Sequence, residues 1–113
     1  MNQLPLFDEI SAREIAWREF HATNPQVFRM FERFALEAVR ASAARAPGSA
    51  IRIGARMVWE RMRWETTITP IENGVPWRLN DHHVPFFARL FLERHPELGP
   101  IFEIRERNLE HVR

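Results

Sequence analysis

At 113 residues the chain is one domain long, and an apolar share of 45%, with nine Phe and four Trp, is enough to fill a single core. It has no cysteine, which excludes a disulfide framework and a thiolate metal site, and no run of 18 apolar residues, so no transmembrane helix or membrane partner is expected. The net charge is only +1, but it is unevenly spread: residues 38–63 hold six arginines against Glu60 alone, while residues 93–110 hold five glutamates against three arginines.

All 16 basic residues are arginine. Codon usage in a GC-rich genome gives that pattern. So does a surface built for phosphate or carboxylate, which the guanidinium fork binds bidentately. The opening MNQLPLFDEI has neither a basic n-region nor a long apolar stretch, so no secretory signal is expected, and the missing cysteines suit a reducing cytoplasm.

In chain order, a first helix is expected from Ser11 to about His21, with Ser11 and Glu14 spaced as a capping box and Ile15, Ala16, Trp17 and Phe20 turned inward. Residues before about Phe7 are expected to be loose or tucked onto the body. Asn24-Pro25 opens a second helix, Asn24 as the cap and Pro25 in the first turn. Val27, Phe28, Phe31, Phe34, Ala35, Ala38 and Val39 follow the three-four spacing of a buried face, and Pro47-Gly48 stops the helix after about Ala46. Ser49 is the expected cap of a third helix over 50–65, buried through Ile51, Ala55, Val58, Trp59 and Met62. Its Arg52, Arg56 and Arg63 share another side.

The stretch TTITPIENGVPWRL then changes character. Asn73-Gly74 is a strong hairpin-turn signal, so a short two-stranded hairpin is expected over about 67–79. A fourth helix begins at Val84 or Pro85, with Phe86, Phe87, Leu90 and Phe91 on its apolar face, and ends at Pro96. A last helix is expected from about Pro100, although IFEIRER also alternates as a strand does. The fold class is therefore mainly α: about five helices with a short β-hairpin, in an order like a winged helix-turn-helix.

The cluster Asp81-His82-His83 raises the question of a metal or catalytic site. Neighbouring residues point in different directions, neither histidine has another at i+4, and Asp8 is the only other Asp. A polar loop in which Asn80 or Asp81 bonds the N–H groups at the start of the fourth helix accounts for it better. There is no glycine-rich phosphate loop and no nucleophile elbow. No catalytic residue, metal or cofactor is expected, and the chain reads as a binding protein.

Two kinds of partner fit, double-stranded DNA as the first choice and a host protein as the alternative. In a winged helix the 50–65 segment would enter the major groove of double-stranded DNA, with Arg52, Arg56 and Arg63 on phosphates or guanine edges and Arg78 reaching from the wing. A homodimer would then place two modules on two half-sites. Against this stand the low net charge and the length of the second helix. Alternatively Trp64 and Trp77, interleaved with Arg63 and Arg78, form a protein-binding patch, since Trp and Arg are enriched at interface hot spots.

Four short pieces carry a resemblance: Phe20 with Asn24-Pro25-x-Val27-Phe28; Trp59-Glu60-x-Met62-Arg63-Trp64; Leu79-Asn80 with Phe87-Ala88-Arg89-Leu90; and Pro96 followed by Phe102-Glu103-x-Arg105. With them the chain resembles a group of small, uncharacterised proteins encoded by bacteriophages and prophages. It departs from that group at Asp81-His82-His83, where an Asn-rich run is expected. The resemblance implies a protein acting in the cytoplasm of a bacterial host, either in gene regulation on DNA or by binding and disabling a host protein such as a defence nuclease. It carries over no catalytic residue.

Overall fold

The computed structural model describes residues 5–68 and 79–102, with side chains from residue 12 onward. Its described part is mainly helical: α1 (Pro5–Thr23), α2 (Pro25–Arg45), α3 (Ala55–Ile68) and α4 (Val84–Arg94). Two 3₁₀ turns flank α4, Asp81–His83 before it and Pro96–Leu98 after it.

The second helix forms where its sequence places it. Val27, Phe28, Phe31, Phe34, Ala35 and Val39 are all buried, and Ala38 is packed at the edge of the core. Asn24 does not cap it through its side chain. That side chain donates to the Phe20 carbonyl at 3.1 Å, and the Asn24 carbonyl takes the Val27 N–H at 3.0 Å. Asn24 thus ties the end of α1 to the start of α2, and Pro25 begins the new helix without a lost donor.

The first helix starts earlier than the Ser11 signal suggests, at Pro5. Its inward face also differs: Trp17, Phe20 and His21 are half-buried, whereas Ile15 is 57% exposed. Aromatic stacking settles the choice. Trp17 lies on Phe86 at 5.5 Å, Phe20 on His83 at 4.7 Å, and His21 meets Phe28 and Phe87 edge to face.

The third helix starts five residues later than expected. Ser49 is not its cap; the Gly54 carbonyl takes the first helical bond, from Val58 N–H. Between α2 and α3, residues 50–54 are not helical. Ile53 pairs in a single parallel bridge with Phe102, its N–H donating to the Ile101 carbonyl at 2.8 Å. Ile53, Ile101 and Phe102 are all buried there. Burial of those side chains and a satisfied N–H outweigh one more turn of helix containing Gly54. The same bridge overturns the expected helix from Pro100 through residue 102.

At its other end α3 runs on to Ile68, through residues expected to begin a strand. Thr66 and Thr67 both donate their hydroxyls to the Arg63 carbonyl, at 3.1 and 2.7 Å. This back-bonding keeps two β-branched residues helical. The expected hairpin over 67–79 lies, beyond that correction, outside the described residues.

The core sits where α2, α3 and α4 meet. Trp59, Met62, Phe31, Phe87 and Phe91 are each fully enclosed. Phe87 is central: Phe31, Phe28 and Trp59 all lie within 6.1 Å of it, ring centre to ring centre. His95 closes one end. Its Nε2 meets Glu32 of α2 at 2.7 Å, its Nδ1 faces Glu97 at 3.4 Å, and its ring stacks on Phe91.

Candidate functional site

The joint between α3 and α4 gathers most of the charged candidates. Arg56 and Arg63 are two turns apart on one flank of α3. The 3₁₀ turn before α4 brings Asp81 between them. Arg63 donates to Asp81 at 2.6 Å and Arg56 donates at 3.1 Å. Arg63 also donates to both oxygens of Glu60 and to the Leu79 carbonyl at 2.9 Å. The Arg63 bond, opposed by some burial and aided by the charges of Arg63 and Arg56, holds the Asp81 carboxyl below its ordinary range. The same contact raises the Arg63 guanidinium. Arg56, Arg63, Leu79, Asn80, Asp81 and His82 line an open depression of about 610 Å³.

The Asp-His-His run is therefore split three ways. Asp81 pairs with the arginines. His82 is exposed, and its backbone N–H donates to Asn80 Oδ1 at 2.9 Å, so Asn80 caps the turn that leads into α4. His83 points inward, buried beneath Phe20. Burial, and then the charge of His82, lowers its pKa below the ordinary 6.5. No group of three His, Asp or Glu among the described residues is placed to hold a metal ion.

Arg52 does not join Arg56 and Arg63 on a helix. It lies in the non-helical 50–54 segment, exposed, with no ion pair among the described residues. The arginine stripe at spacings of four and seven is thus broken at its first member, because that spacing holds only within one helix. Arg78 and Trp77 lie outside the described residues.

Trp59 and Trp64 part company as five positions on a helix require. Trp59 is fully enclosed, while Trp64 is 61% exposed. Trp64 also has company that sequence reading missed. Met57 is 58% exposed and Ile68 53% exposed, and both lie in line with it, seven residues before and four after. Arg61 stands at the edge of that line. Its guanidinium leans over Phe34 at 4.5 Å and bonds Glu65 at 3.1 Å and Glu37 at 3.3 Å. The outer face of α3 is therefore an apolar stripe, Met57–Trp64–Ile68, edged by Arg61 and Glu65 on one side and Glu60 and Arg63 on the other. The signal existed in the sequence, but only for a helix that continues to Ile68.

No family model matches this sequence, no curated protein matches it, and no solved structure matches its fold. What the site can do rests on its own residues.

Proposed function

We propose that the chain is a non-enzymatic binding protein that recognises another protein through the outer face of α3. One observation carries this reading: three large apolar side chains, each more than half exposed, stand in one line on a helix whose opposite face is fully packed. Large exposed apolar groups collected in one place mark contact surfaces more often than scattered ones do. A Trp beside arginines is the residue set that dominates such contacts. In the bacterial-host setting that the phage-type resemblance implies, a regulatory or inhibitory role fits a small binder of this kind.

The test is protein capture with the purified chain from bacterial lysate, comparing wild type with Trp64→Glu and with Arg18→Glu, a change on the distant surface of α1. Capture lost only in Trp64→Glu is the expected result. If neither capture nor self-association depends on Trp64, the reading fails.

The depression at Arg56 and Arg63 favours a second reading, binding of duplex DNA, in which phosphates would replace Asp81 as the arginines' partner. Arg56 has an exposed side chain and a single carboxylate contact. DNA binding of this kind weakens steeply between about 50 and 200 mM salt, and Arg52→Ala with Arg56→Ala would remove it. Anisotropy with labelled random duplex checks it, and no binding at the low-salt end would rule it out.

A further inference from the structure

The exposed stripe of α3 has a property that points to its occupant. Met57, Trp64 and Ile68, taken with Arg61 at their edge, fall at spacings of four, three and four. That order reads the same in both directions about a centre between Met62 and Arg63. A two-fold axis through that centre lays a second α3 antiparallel on the first and sets Met57 against Ile68 of the other copy, and Arg61 against Trp64. Interfaces between identical chains are mostly of this self-complementary kind.

The charges beside the stripe agree. In a two-fold antiparallel pair each flank of a helix meets the same flank of its copy. A flank carrying one sign would repel itself. Here each flank carries both signs: Arg61 and Glu65 on one, Glu60 and Arg63 on the other. At this register Arg61 falls beside Glu65 of the other copy and Glu60 beside Arg63. The Arg61–Glu65 and Glu60–Arg63 pairs within the helix are exposed, so exchanging them for pairs between copies costs little, while Arg61 keeps Glu37 and Arg63 keeps Asp81.

We infer that the outer face of α3 is the contact surface of an antiparallel homodimer centred between Met62 and Arg63. This rests on the reading of that face as a docking surface, and it names a second copy of the chain as the partner.

The experiment is sedimentation equilibrium of the full chain up to about 0.3 mM, where dimers of modest affinity are populated. The expected wild-type species has twice the 13.5 kDa mass of the chain. Trp64→Glu is expected to raise the dissociation constant more than about thirtyfold, the scale of a hot-spot loss. Two charge variants read the register. Arg61→Glu alone sets Glu against Glu65 twice, and Glu65→Arg alone sets Arg against Arg61 twice, so each is expected to be monomeric. Mixed in equal amounts they restore opposite charges on both sides and form a heterodimer. An effect confined to one chain could not be rescued by mixing. Thermal melts of each variant confirm folding.

A wild type that stays at single-chain mass overturns the inference, as does a dimer indifferent to Trp64→Glu or a mixture that stays monomeric. A monomer that still captures another protein through Trp64 would overturn the homodimer and leave the docking face standing.

Discussion

Asp81 holds the joint of α3 and α4 at the scale of a single side chain. Its two oxygens take Arg63 and Arg56, while Arg63 also reaches the Leu79 carbonyl, so one carboxylate fixes the direction from which the chain enters α4. The pair is partly open to water, which screens it. Asp81→Ala is therefore expected to cost only about 0.5–1 kcal/mol, read as a lowered urea midpoint at neutral pH. Because its pKa is depressed on folding, its contribution is whole above the ordinary carboxylate value and is lost as pH falls through the folded value. His83 and His21 act at higher pH. Burial lowers both, with the charge of His82 adding at His83 and that of Arg94 at His21. Their contribution is whole above about pH 6.5 and is lost as pH falls through their folded values. Thermal melts at pH 7.5 and 5.5 are expected to differ more for wild type than for His83→Phe, which keeps the ring against Phe20 and removes the titration. An equal difference in the two proteins would count against this account of His83.

Among the elements, α2 and α3 show what a sequence pattern can and cannot determine. The buried face of α2 was legible to the residue, because seven apolar side chains at helical spacing leave no other solution. In α3 the local signals misled at both ends. Ser49 looked like a cap, but the long-range bridge from Ile53 to Phe102 draws residues 50–54 out of the helix, and nothing local announces a partner some fifty residues away. Thr66-Thr67 looked like strand, but both hydroxyls fold back onto the Arg63 carbonyl. The shift in boundary has consequences that can be measured. Ser49→Ala is expected to change stability by less than about 0.5 kcal/mol, where a true cap would cost about 1. Gly54→Ser is expected to stabilise by about 0.3 kcal/mol, since a Cβ there meets only ordinary contacts and sits 3.9 Å from the Met57 nitrogen that a cap would serve. Urea unfolding of the two variants beside wild type checks both.

In the molecule as a whole, α2, α3 and α4 share the aromatic core around Phe87, and α1 lies across α2 and the turn before α4 through Trp17, Phe20 and His21. Among the described residues, that arrangement leaves the side of α3 that carries Met57, Trp64 and Ile68 exposed. Trp64 was recognisable in the sequence as a contact candidate. Met57 and Ile68 were not, because a helix ending at Glu65 excludes Ile68 and a start near residue 50 suggests that Arg52, Arg56 and Arg63 form the notable stripe. The arginine set that sequence spacing joined is divided in space: Arg63 and Arg56 hold Asp81, and Arg52 stands apart in the segment before α3. The proposed contact face is thus set by where α3 begins and ends, which is a tertiary decision.

The absence of cysteine allows that face to be mapped directly, by single-cysteine variants at positions 57, 64, 68, 58 and 62 and their rates of thiol labelling in dilute and in concentrated protein. The account predicts fast labelling of Met57→Cys, Trp64→Cys and Ile68→Cys in dilute solution, slowing as concentration rises at 57 and 68, where Trp64 is kept, with Val58→Cys and Met62→Cys slow throughout. Slow labelling at 57, 64 and 68 in the dilute chain, or rapid labelling at 58 and 62, would contradict it.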